Sequence, residues 1–256
     1  MQVCVDIGNT NIVLALHDGE EFIDSFRVYT DQKKTGDEYL VIFRSLMQGT
    51  TIELDNVDRV IVSSVVPNLT RSIMKILRRI FPVEPLLVTH KVETGLNRDS
   101  IPEELGSDLL CNLAYAHHEY PDDAVMIIDF GTALTLSSVN ERGEVLGVAI
   151  APGLITAVNS LFGSTAQLPQ VELKVPVSAI GRTSEESIRS GVMLGYAGLV
   201  ESLINRTEME LGRKMKVIAT GGLSRTISSV IDRIDKVDGL HTLKGLLLIS
   251  ELNRHL

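Results

Sequence analysis

The sequence predicts an α/β protein of two similar halves, each built on a mixed β-sheet that is flanked by helices. An Asp-x-Gly frame occurs twice, at 6–8 and at 129–131, and each copy directly follows a run of apolar residues. A second extended-looking segment and then a charged Gly turn follow each copy, with the turns at 18–20 and 142–144. Because both halves repeat this strand–turn–strand order, we expect two domains, residues 1–118 and 119–256.

The first half reads as a three-stranded antiparallel meander followed by alternating helices and strands. Segments rich in β-branched residues alternate with segments whose apolar residues recur at helical spacing. Residues 35–38 read as a helix start, and Pro67 closes a strand just before the next helix. Strands are predicted at 3–5, 12–16, 21–28, 59–65 and 86–88, a polar loop at 93–106, and helices from 35, from 67 and at 107–118.

The second half repeats the meander and then continues with helices and one further strand. Strands are predicted at 124–128, 135–139, 145–150 and 217–219, and helices at 154–162, 184–211, 224–234 and 242–254. Residues 145–171 carry no charge, but Pro152-Gly153 interrupts them and polar residues crowd their second half. We therefore expect a buried strand, a turn and a helix there, not a membrane span, in a soluble cytoplasmic protein.

Composition excludes several classes of function. Of 256 residues, 44% are hydrophobic and 22% charged, the net charge is −9, and there is no Trp. An acidic chain is a poor binder of nucleic acid or anionic membranes, which require basic patches. Cys4 and Cys111 stand outside any CxxC pattern, so we expect free thiols in a reducing compartment. A phosphate ligand would need cations to offset the negative charge.

The two Asp-x-Gly turns are candidate phosphate and metal sites. Gly8 permits a tight turn whose N–H groups cradle phosphate, and Asp6 at the strand end would hold a hard cation. Asp, Gly and Asn are also ordinary turn formers, so for one copy alone a plain hairpin turn is the better explanation. The second copy at Asp129 and a third Gly turn, Gly221-Gly222, favour the functional interpretation.

Three further patterns each allow a structural and a functional interpretation. Ser107 is a good N-cap and Asp108 suits the first turn of a helix, but Asp108 is also a candidate general base. Thr183 and Glu186 have the spacing of a capping box. Small residues then recur on one side of the following helix, where they permit close packing in the core or against a second subunit. These residues are Gly191, Gly195 and Gly198.

Nine short motifs in order resemble those of type III pantothenate kinases, which have an actin-like (ribonuclease H-like) fold. Each motif alone is weak, but together they extend over nearly the whole chain. They are DIGNT at 6–10, TGDE at 35–38, SSVVP at 63–67, GSD at 106–108, DFGTA at 129–133, IAPG at 150–153, TAQLP at 165–169, SIRSG at 187–191 and ATGG at 219–222.

The resemblance implies phosphorylation of the terminal hydroxyl of pantothenate by ATP, the first step towards coenzyme A, in a homodimer with the nucleotide between the halves. Asp6 would meet a divalent metal such as Mg²⁺, and Asp129 a monovalent cation, K⁺ or NH₄⁺. Asp108 would be the general base. Phosphates and ATP would be bound by Gly8, Asn9, Thr10, Asn11, Thr132, Gly221 and Gly222, and the substrate by Gly106, Ser107, Asp108, Leu109 and Thr183.

The chain departs from the family pattern mainly on the substrate side. Leu109 replaces an Arg that helps bind the pantothenate carboxylate, and 99–102 lacks the usual Tyr and the Asn before Pro. Leu134 replaces Thr, and Gly147-Val148 replaces Gly-Gly. Losing a charged hydrogen bond costs roughly 1.5–3 kcal/mol, or about 10- to 100-fold in affinity. Arg98 and Arg182 are candidates to replace the missing cation.

These departures leave two alternatives beside pantothenate kinase. The retained nucleotide-side residues Asp6, Asp129 and Thr132 with an altered substrate side are also expected in a kinase for another small hydroxylated molecule. A catalytically degenerate paralogue that acts as a regulatory binding protein is the second alternative, motivated by Leu109. A direct transcription-factor role is disfavoured by the acidic charge and by the lack of a recognisable DNA-reading module.

Overall fold

The computed structural model describes residues 1–50, 53–163 and 171–255, and its strands and helices follow one another largely as predicted. The strands are β1 (Gln2–Ile7), β2 (Asn11–His17), β3 (Phe22–Tyr29), β4 (Arg59–Ser64), β5 (Leu86–Leu87), β6 (Val125–Phe130), β7 (Ala133–Val139), β8 (Val145–Pro152), β9 (Lys216–Thr220) and β10 (Lys236–Val237). The helices are α1 (Gly36–Gln48), α2 (Pro67–Ile80), α3 (Ser107–Glu119), α4 (Leu154–Gly163), α5 (Ser184–Leu211), α6 (Ser224–Ile227) and α7 (His241–Leu252).

Two sheets of the same topology organise the described part of the chain. The first has the strand order β3-β2-β1-β4-β5 and the second β10-β9-β6-β7-β8, which is the same order read from the opposite edge. In each sheet the meander strands pair antiparallel, and the strands beyond the central one pair parallel. The predicted pair of mixed sheets with flanking helices is therefore confirmed.

The chain divides into two compact units at positions that differ from the expected domains. The first unit is Met1–Tyr115 with Thr242–Leu256, and the second is Ala116–His241. Side-chain contacts explain why the C-terminal segment belongs with the first sheet. Gln2 Nε2 donates to Glu251 Oε1 at 2.6 Å, and Arg59 Nη1 pairs with the same carboxylate at 2.9 Å. The expected second domain, 119–256, had included this segment.

One face of the first sheet forms a hydrophobic core with α1 and α2. Val3, Val5 and Ile7 of β1 are fully buried in it. The helices contribute Tyr39, Leu40, Phe43, Met47, Leu69, Ile73, Met74, Ile76 and Leu77. Burying a side chain of this size contributes about 1.5–3 kcal/mol. Because strand residues alternate between faces, Asp6 points away from this core.

The start of α1 is fixed by a complete capping box. Thr35 Oγ1 accepts a hydrogen bond from Glu38 N, and Glu38 Oε2 accepts one from Thr35 N at 2.7 Å. The predicted helix start at 35–38 is thus confirmed in its geometry. The reciprocal bonds satisfy two N–H groups that the first turn would otherwise leave open.

The helix predicted at 224–234 is shorter in the structure because the chain turns into an additional strand. After α6 and a 3-10 turn at Ser228–Val230, the chain becomes extended at Ile231. Val217 N donates to Asp235 Oδ2 at 2.7 Å, and β10 then pairs with β9. The prediction of a continuous helix was wrong because this sheet pairing outweighs the local helical pattern. None of the described helices is long and apolar enough to cross a membrane.

Candidate functional site

The turn that follows β1 is held in shape by a residue at the end of β3. Gly8 N donates to Asn11 O at 3.0 Å. Thr30 Oγ1 donates to Gly8 O at 2.7 Å, and Thr30 N donates to Thr10 O at 2.8 Å. Asn9 and Thr10 are exposed. The turn is therefore preformed, with an outer face open to a ligand. The sequence reasoning missed Thr30, although the meander predicts that this strand end returns to the first turn.

Asp6 and Asp108 influence the same buried thiol. Asp6 is the half-buried penultimate residue of β1, in register with Ser63 of β4. Burial raises the pKa of the Cys111 thiol well above its usual range, and the carboxylates of Asp6 and Asp108 raise it further. Contacts along the strands agree with this, because Ser107, next to Asp108, lies 3.0 Å from the Ser63 hydroxyl, and Ser63 is in register with Asp6. The predicted metal ligand and the predicted general base therefore lie at the same end of the first sheet.

The Asp108 carboxylate is folded back against the first turn of α3. Leu109 N donates to Asp108 Oδ1 at 2.7 Å. Burial raises the pKa of Asp108, and the hydrogen bond from Leu109 only partly opposes that shift. A Cβ at Gly106 would lie 2.6 Å from Asp108 Oδ1, so any other residue at 106 would displace this carboxylate. A carboxylate of raised pKa is a stronger base than an exposed one, as a general base requires.

Ser107 does not cap α3 as one interpretation of the sequence had expected. Leu110 N donates to Gly106 O at 2.9 Å, so the helical hydrogen bonds begin at Gly106. The Ser107 hydroxyl instead accepts a hydrogen bond from Ser64 N at 2.8 Å, at the end of β4. The local N-cap prediction was wrong because a partner from a distant strand takes the hydroxyl.

Leu109 is a buried apolar residue at the position where the resemblance leads us to expect Arg. Its side chain is only 9% exposed. Of the two candidate replacements, Arg98 donates to Lys91 O at 3.2 Å and lies 3.9 Å from Glu93. Arg182 is exposed just before α5. Neither contact identifies a substitute cation, and Leu109 itself offers no donor beyond its backbone.

The two departures in the second sheet have structural explanations. Leu134 is fully buried and packs in the core beneath α5. Gly147 has φ +143° and lies beside a shift of register between β7 and β8. The first glycine of the family's Gly-Gly is thus retained where the backbone is irregular, and only the second is replaced, by Val148. An apolar residue at 134 fits a hydrophobic core, and this change needs no altered substrate to explain it.

In the second unit the Asp129 carboxylate lies against the turn that follows β9. Asp129 is the half-buried penultimate residue of β6, in register with Thr220 at the end of β9. Gly221 follows with φ +90°, and a Cβ there would lie 2.4 Å from Asp129 Oδ1. The carboxylate therefore packs where a side chain at 221 would begin, and only glycine leaves it that position. Gly222 is exposed on the same turn. A role for Asp129 as the ligand of a monovalent cation remains a prediction.

The turn at Gly131 and Thr132 is closed by backbone contacts with Gly153. Gly131 N donates to Ala133 O, two residues on, at 3.2 Å, whereas Gly8 N in the first turn donates to Asn11 O, three residues on. Gly153 N donates to Thr132 O at 3.1 Å, and a Cβ on Gly153 would lie 2.3 Å from Gly131 O. The exposed Thr132 side chain thus projects from a rigid turn. The two units carry turns at equivalent positions, as the repeated frame predicts.

Thr183 has a local role at the start of α5. Its Oγ1 accepts from Glu186 N at 3.2 Å, whereas Glu186 Oε2 accepts from Arg182 N and not from Thr183. The capping box is therefore half formed. A contact between Thr183 and substrate remains a prediction. The family-like motif at 165–169 lies outside the described residues, and nothing is concluded from it.

The predicted site residues thus fall into one group in each unit. The first unit contains Asp6, Gly8, Asn9, Thr10, Asn11, Gly106, Ser107, Asp108 and Leu109, and the second contains Asp129, Thr132, Thr183, Gly221 and Gly222. Among the residues described, no cluster of three or more His, Cys, Asp or Glu side chains is arranged to hold a metal. A divalent ion at Asp6 would therefore take most of its ligands from phosphates and water, as Mg²⁺ commonly does.

Several solved structures share this fold at low sequence identity. A protein from Campylobacter jejuni proposed to be a Baf-family transcriptional activator matches with a TM-score of 0.62 and 18% identity, over 99% of this chain and 100% of its own. A proposed 2-dehydro-3-deoxygalactonokinase from Sinorhizobium meliloti has a TM-score of 0.59 and 12% identity, over 100% of this chain and 99% of its own. The ethanolamine utilization protein EutJ from Carboxydothermus hydrogenoformans matches with a TM-score of 0.54 and 15% identity, over 96% of this chain and 89% of its own.

These structural matches establish the fold alone, which is the actin-like α/β fold that the resemblance implied. The family is shown by the sequence. The model of type III pantothenate kinases matches residues 2–206, most of the chain and nearly all the candidate site residues. Gly221 and Gly222 lie just beyond the matched range. With the repeated Asp-x-Gly turns and the Asp108 site on the described residues, this match shows that the chain belongs to the type III pantothenate kinase family.

Proposed function

We propose that this protein transfers the γ-phosphoryl group of ATP to the terminal hydroxyl of pantothenate, with Asp108 as the general base. The observation that carries the proposal is the half-buried Asp108 carboxylate of raised pKa near Asp6, in a chain that matches the kinase family. Asp108 would accept the hydroxyl proton as the hydroxyl oxygen attacks phosphorus. Such reactions depend mainly on positioning and on neutralising phosphate charge.

The remaining site residues would bind the nucleotide and its cations. The preformed Gly8–Asn11 turn offers N–H groups to phosphate, and Thr132 projects from the equivalent turn. Asp6 would hold Mg²⁺, and Asp129, whose carboxylate lies against the Gly221 turn, would hold K⁺ or NH₄⁺. When bound, these cations neutralise phosphate charge. That contribution matters in a chain whose net charge is −9.

The direct test is phosphorylation of pantothenate by the purified protein with ATP and magnesium, with the product identified by mass spectrometry. We expect product, and we expect it to increase when potassium or ammonium is added. No product from folded protein over a wide pantothenate range would reject the proposed substrate. Product formed equally without a monovalent cation would reject only the role of Asp129.

A second candidate, a kinase for another small hydroxylated molecule, is favoured by the buried Leu109. A panel of hydroxy acids and amides with ATP would reveal such a substrate. ATP binding without turnover of any of them would instead support the degenerate paralogue. Activity on pantothenate alone would remove both alternatives.

Replacing Leu109 with Arg tests how the substrate carboxylate is recognised. We expect the pantothenate KM of Leu109→Arg to fall about 10- to 100-fold, because a guanidinium can form charged hydrogen bonds with a carboxylate. Steady-state kinetics with ATP saturating measure this change. Leu109→Met conserves shape without charge and should leave the KM near that of the parent. An unchanged or higher KM in folded Leu109→Arg would indicate that the carboxylate binds elsewhere.

We also propose a homodimer that uses the glycine-bearing face of α5. Gly191, Gly195 and Gly198 are exposed, and a Cβ at any of them would meet no described heavy atom within 4 Å. These glycines therefore do not serve the packing of their own described unit. Met209, on the same helix, is 82% exposed. Small residues of this kind allow a second helix to approach closely.

The dimer makes a prediction for Gly195→Arg. The bulky cation should block close approach, so we expect a mass of about one 28.0 kDa chain where the parent shows two. Analytical ultracentrifugation measures both. Glu20→Arg introduces a similar side chain on an exposed turn of the other unit and should remain dimeric. A monomeric parent protein would refute the proposal.

A further inference from the structure

The Ser107 hydroxyl joins the start of α3 to the end of β4 through three contacts. It accepts from Ser64 N at 2.8 Å and donates to Ser64 O at 3.1 Å. The Ser63 hydroxyl lies 3.0 Å away and can donate to the remaining lone pair. One side chain thus satisfies both backbone groups of a strand-end residue. We call these three contacts of the Ser107 hydroxyl the bracket. It ties the helix start to a strand, which a cap that bonds only its own helix would not do.

The strand end held by Ser107 lies beside the Asp6 end of β1. β4 runs parallel to β1, with Ser63 in register with Asp6 and Ser64 with Ile7. Val65 N also donates to Ile7 O at 3.0 Å, which extends the pairing past the strand. The contact therefore relates the first turn of α3 to the backbone that carries the predicted metal ligand.

The base follows directly after the bracket. Asp108 is the next residue, and its carboxylate occupies space that only a glycine at 106 leaves open. Gly106 has no side chain, and the Leu109 side chain has no hydrogen-bonding group, so neither could hold this turn against β4. In the described part of the chain, the hydrogen bonds of the Ser107 hydroxyl hold this turn against β4.

We propose that Ser107 is a positioning residue, which holds Asp108 in place relative to Asp6 by bracketing the start of α3 to the end of β4. The inference rests on the proposed function and deepens it, since the family resemblance had suggested only that Ser107 contacts substrate. In this role the hydroxyl is fully used by protein partners, so it acts through Asp108 and contributes to turnover, not to ATP or pantothenate affinity.

The test compares Ser107→Ala with a variant that breaks an equivalent hydroxyl contact nearby. We expect kcat of Ser107→Ala to fall about 10- to 100-fold with both KM values within about twofold, because small displacements of a reacting group are costly. Ser107→Thr keeps the hydroxyl and should recover most of the loss. Thr70→Val removes the 2.7 Å contact between the Thr70 and Ser64 hydroxyls and should lower stability without lowering kcat.

Several outcomes would overturn the proposal. Wild-type kcat in Ser107→Ala, a loss confined to KM, or an equal kcat loss in Thr70→Val would each show that Ser107 has no positioning role. Hydrogen exchange over residues 106–112 gives a readout that does not depend on turnover. We expect faster exchange there in Ser107→Ala and not in Thr70→Val. If the parent phosphorylates nothing, the proposed function fails, and unchanged exchange would then separately refute the bracket.

Discussion

The Asp108→Asn substitution should lower the rate of phosphoryl transfer about 10²- to 10⁴-fold while the protein remains folded, because general-base catalysis typically contributes this much. The amide is nearly the same shape and keeps an oxygen for the hydrogen bond from Leu109 N. It cannot accept the hydroxyl proton. Single-turnover kinetics with pantothenate and ATP measure the loss, and ATP affinity should change little.

The same substitution should stabilise the protein at neutral and higher pH. The native pKa of Asp108 is raised by burial, so deprotonation favours the unfolded chain, and parent stability falls as pH rises through the native pKa. The uncharged amide of the variant lacks that penalty. We therefore expect the Tm of Asp108→Asn to exceed that of the parent at pH 8, with a smaller difference at pH 4.

Glu104→Gln is the matched control, since it neutralises an exposed carboxylate four residues earlier. Turnover and stability should both stay near those of the parent. Full activity in Asp108→Asn would refute the assignment of the base. Lost activity together with a lower Tm at pH 8 would instead indicate that the carboxylate is needed for the fold.

Gly221→Ala is expected to lower both stability and the response to monovalent cations. The native φ of +90° alone costs a non-glycine residue about 1–3 kcal/mol. The added Cβ would also lie 2.4 Å from Asp129 Oδ1 and 2.8 Å from Phe130 backbone atoms. Relief of this overlap requires displacement of the Asp129 carboxylate. Urea unfolding and kinase activity titrated with potassium measure the two effects.

Gly239→Ala provides the comparison within the same unit. A Cβ at Gly239 meets no described atom within 4 Å, and its φ lies outside the positive range. We expect its stability and potassium response to match the parent. If Gly221→Ala is destabilised but keeps the parent potassium response, Asp129 is not the cation ligand. If it is unaffected in both respects, the described turn geometry is wrong.

Local sequence patterns predicted most of the elements and several turn geometries. The apolar residues of strands and helices recur at short, regular spacing, and caps join residues three apart, so residues close in sequence carry the signal. A helix starts at Thr35 as expected, and both Asp-x-Gly frames form turns between the first two strands of their sheets. The repeat also predicted that the two halves would be alike, and the two mixed sheets do have the same strand order.

The sequence reasoning was less accurate wherever a partner distant in sequence competed with a local one. The helix expected at 224–234 ends at Ile227, because the chain that follows leads into β10, whose backbone pairs with β9. The C-terminal segment packs with the first sheet through Glu251, more than 190 residues from Arg59. Thr30 fixes the first turn from the end of the meander.

Periodicity, turn chemistry and motif order were enough to identify the two halves, the family and the candidate residues, because each of these is written in short stretches of chain. What the side chains of those residues contact depends instead on packing between distant segments. Ser107 illustrates the difference, since its hydroxyl could bond its own helix or a strand 43 residues away. Packing brings Ser64 within 2.8 Å, and the hydroxyl bonds there. The same packing buries Asp108 enough to raise its pKa, an effect of surroundings that no local pattern records.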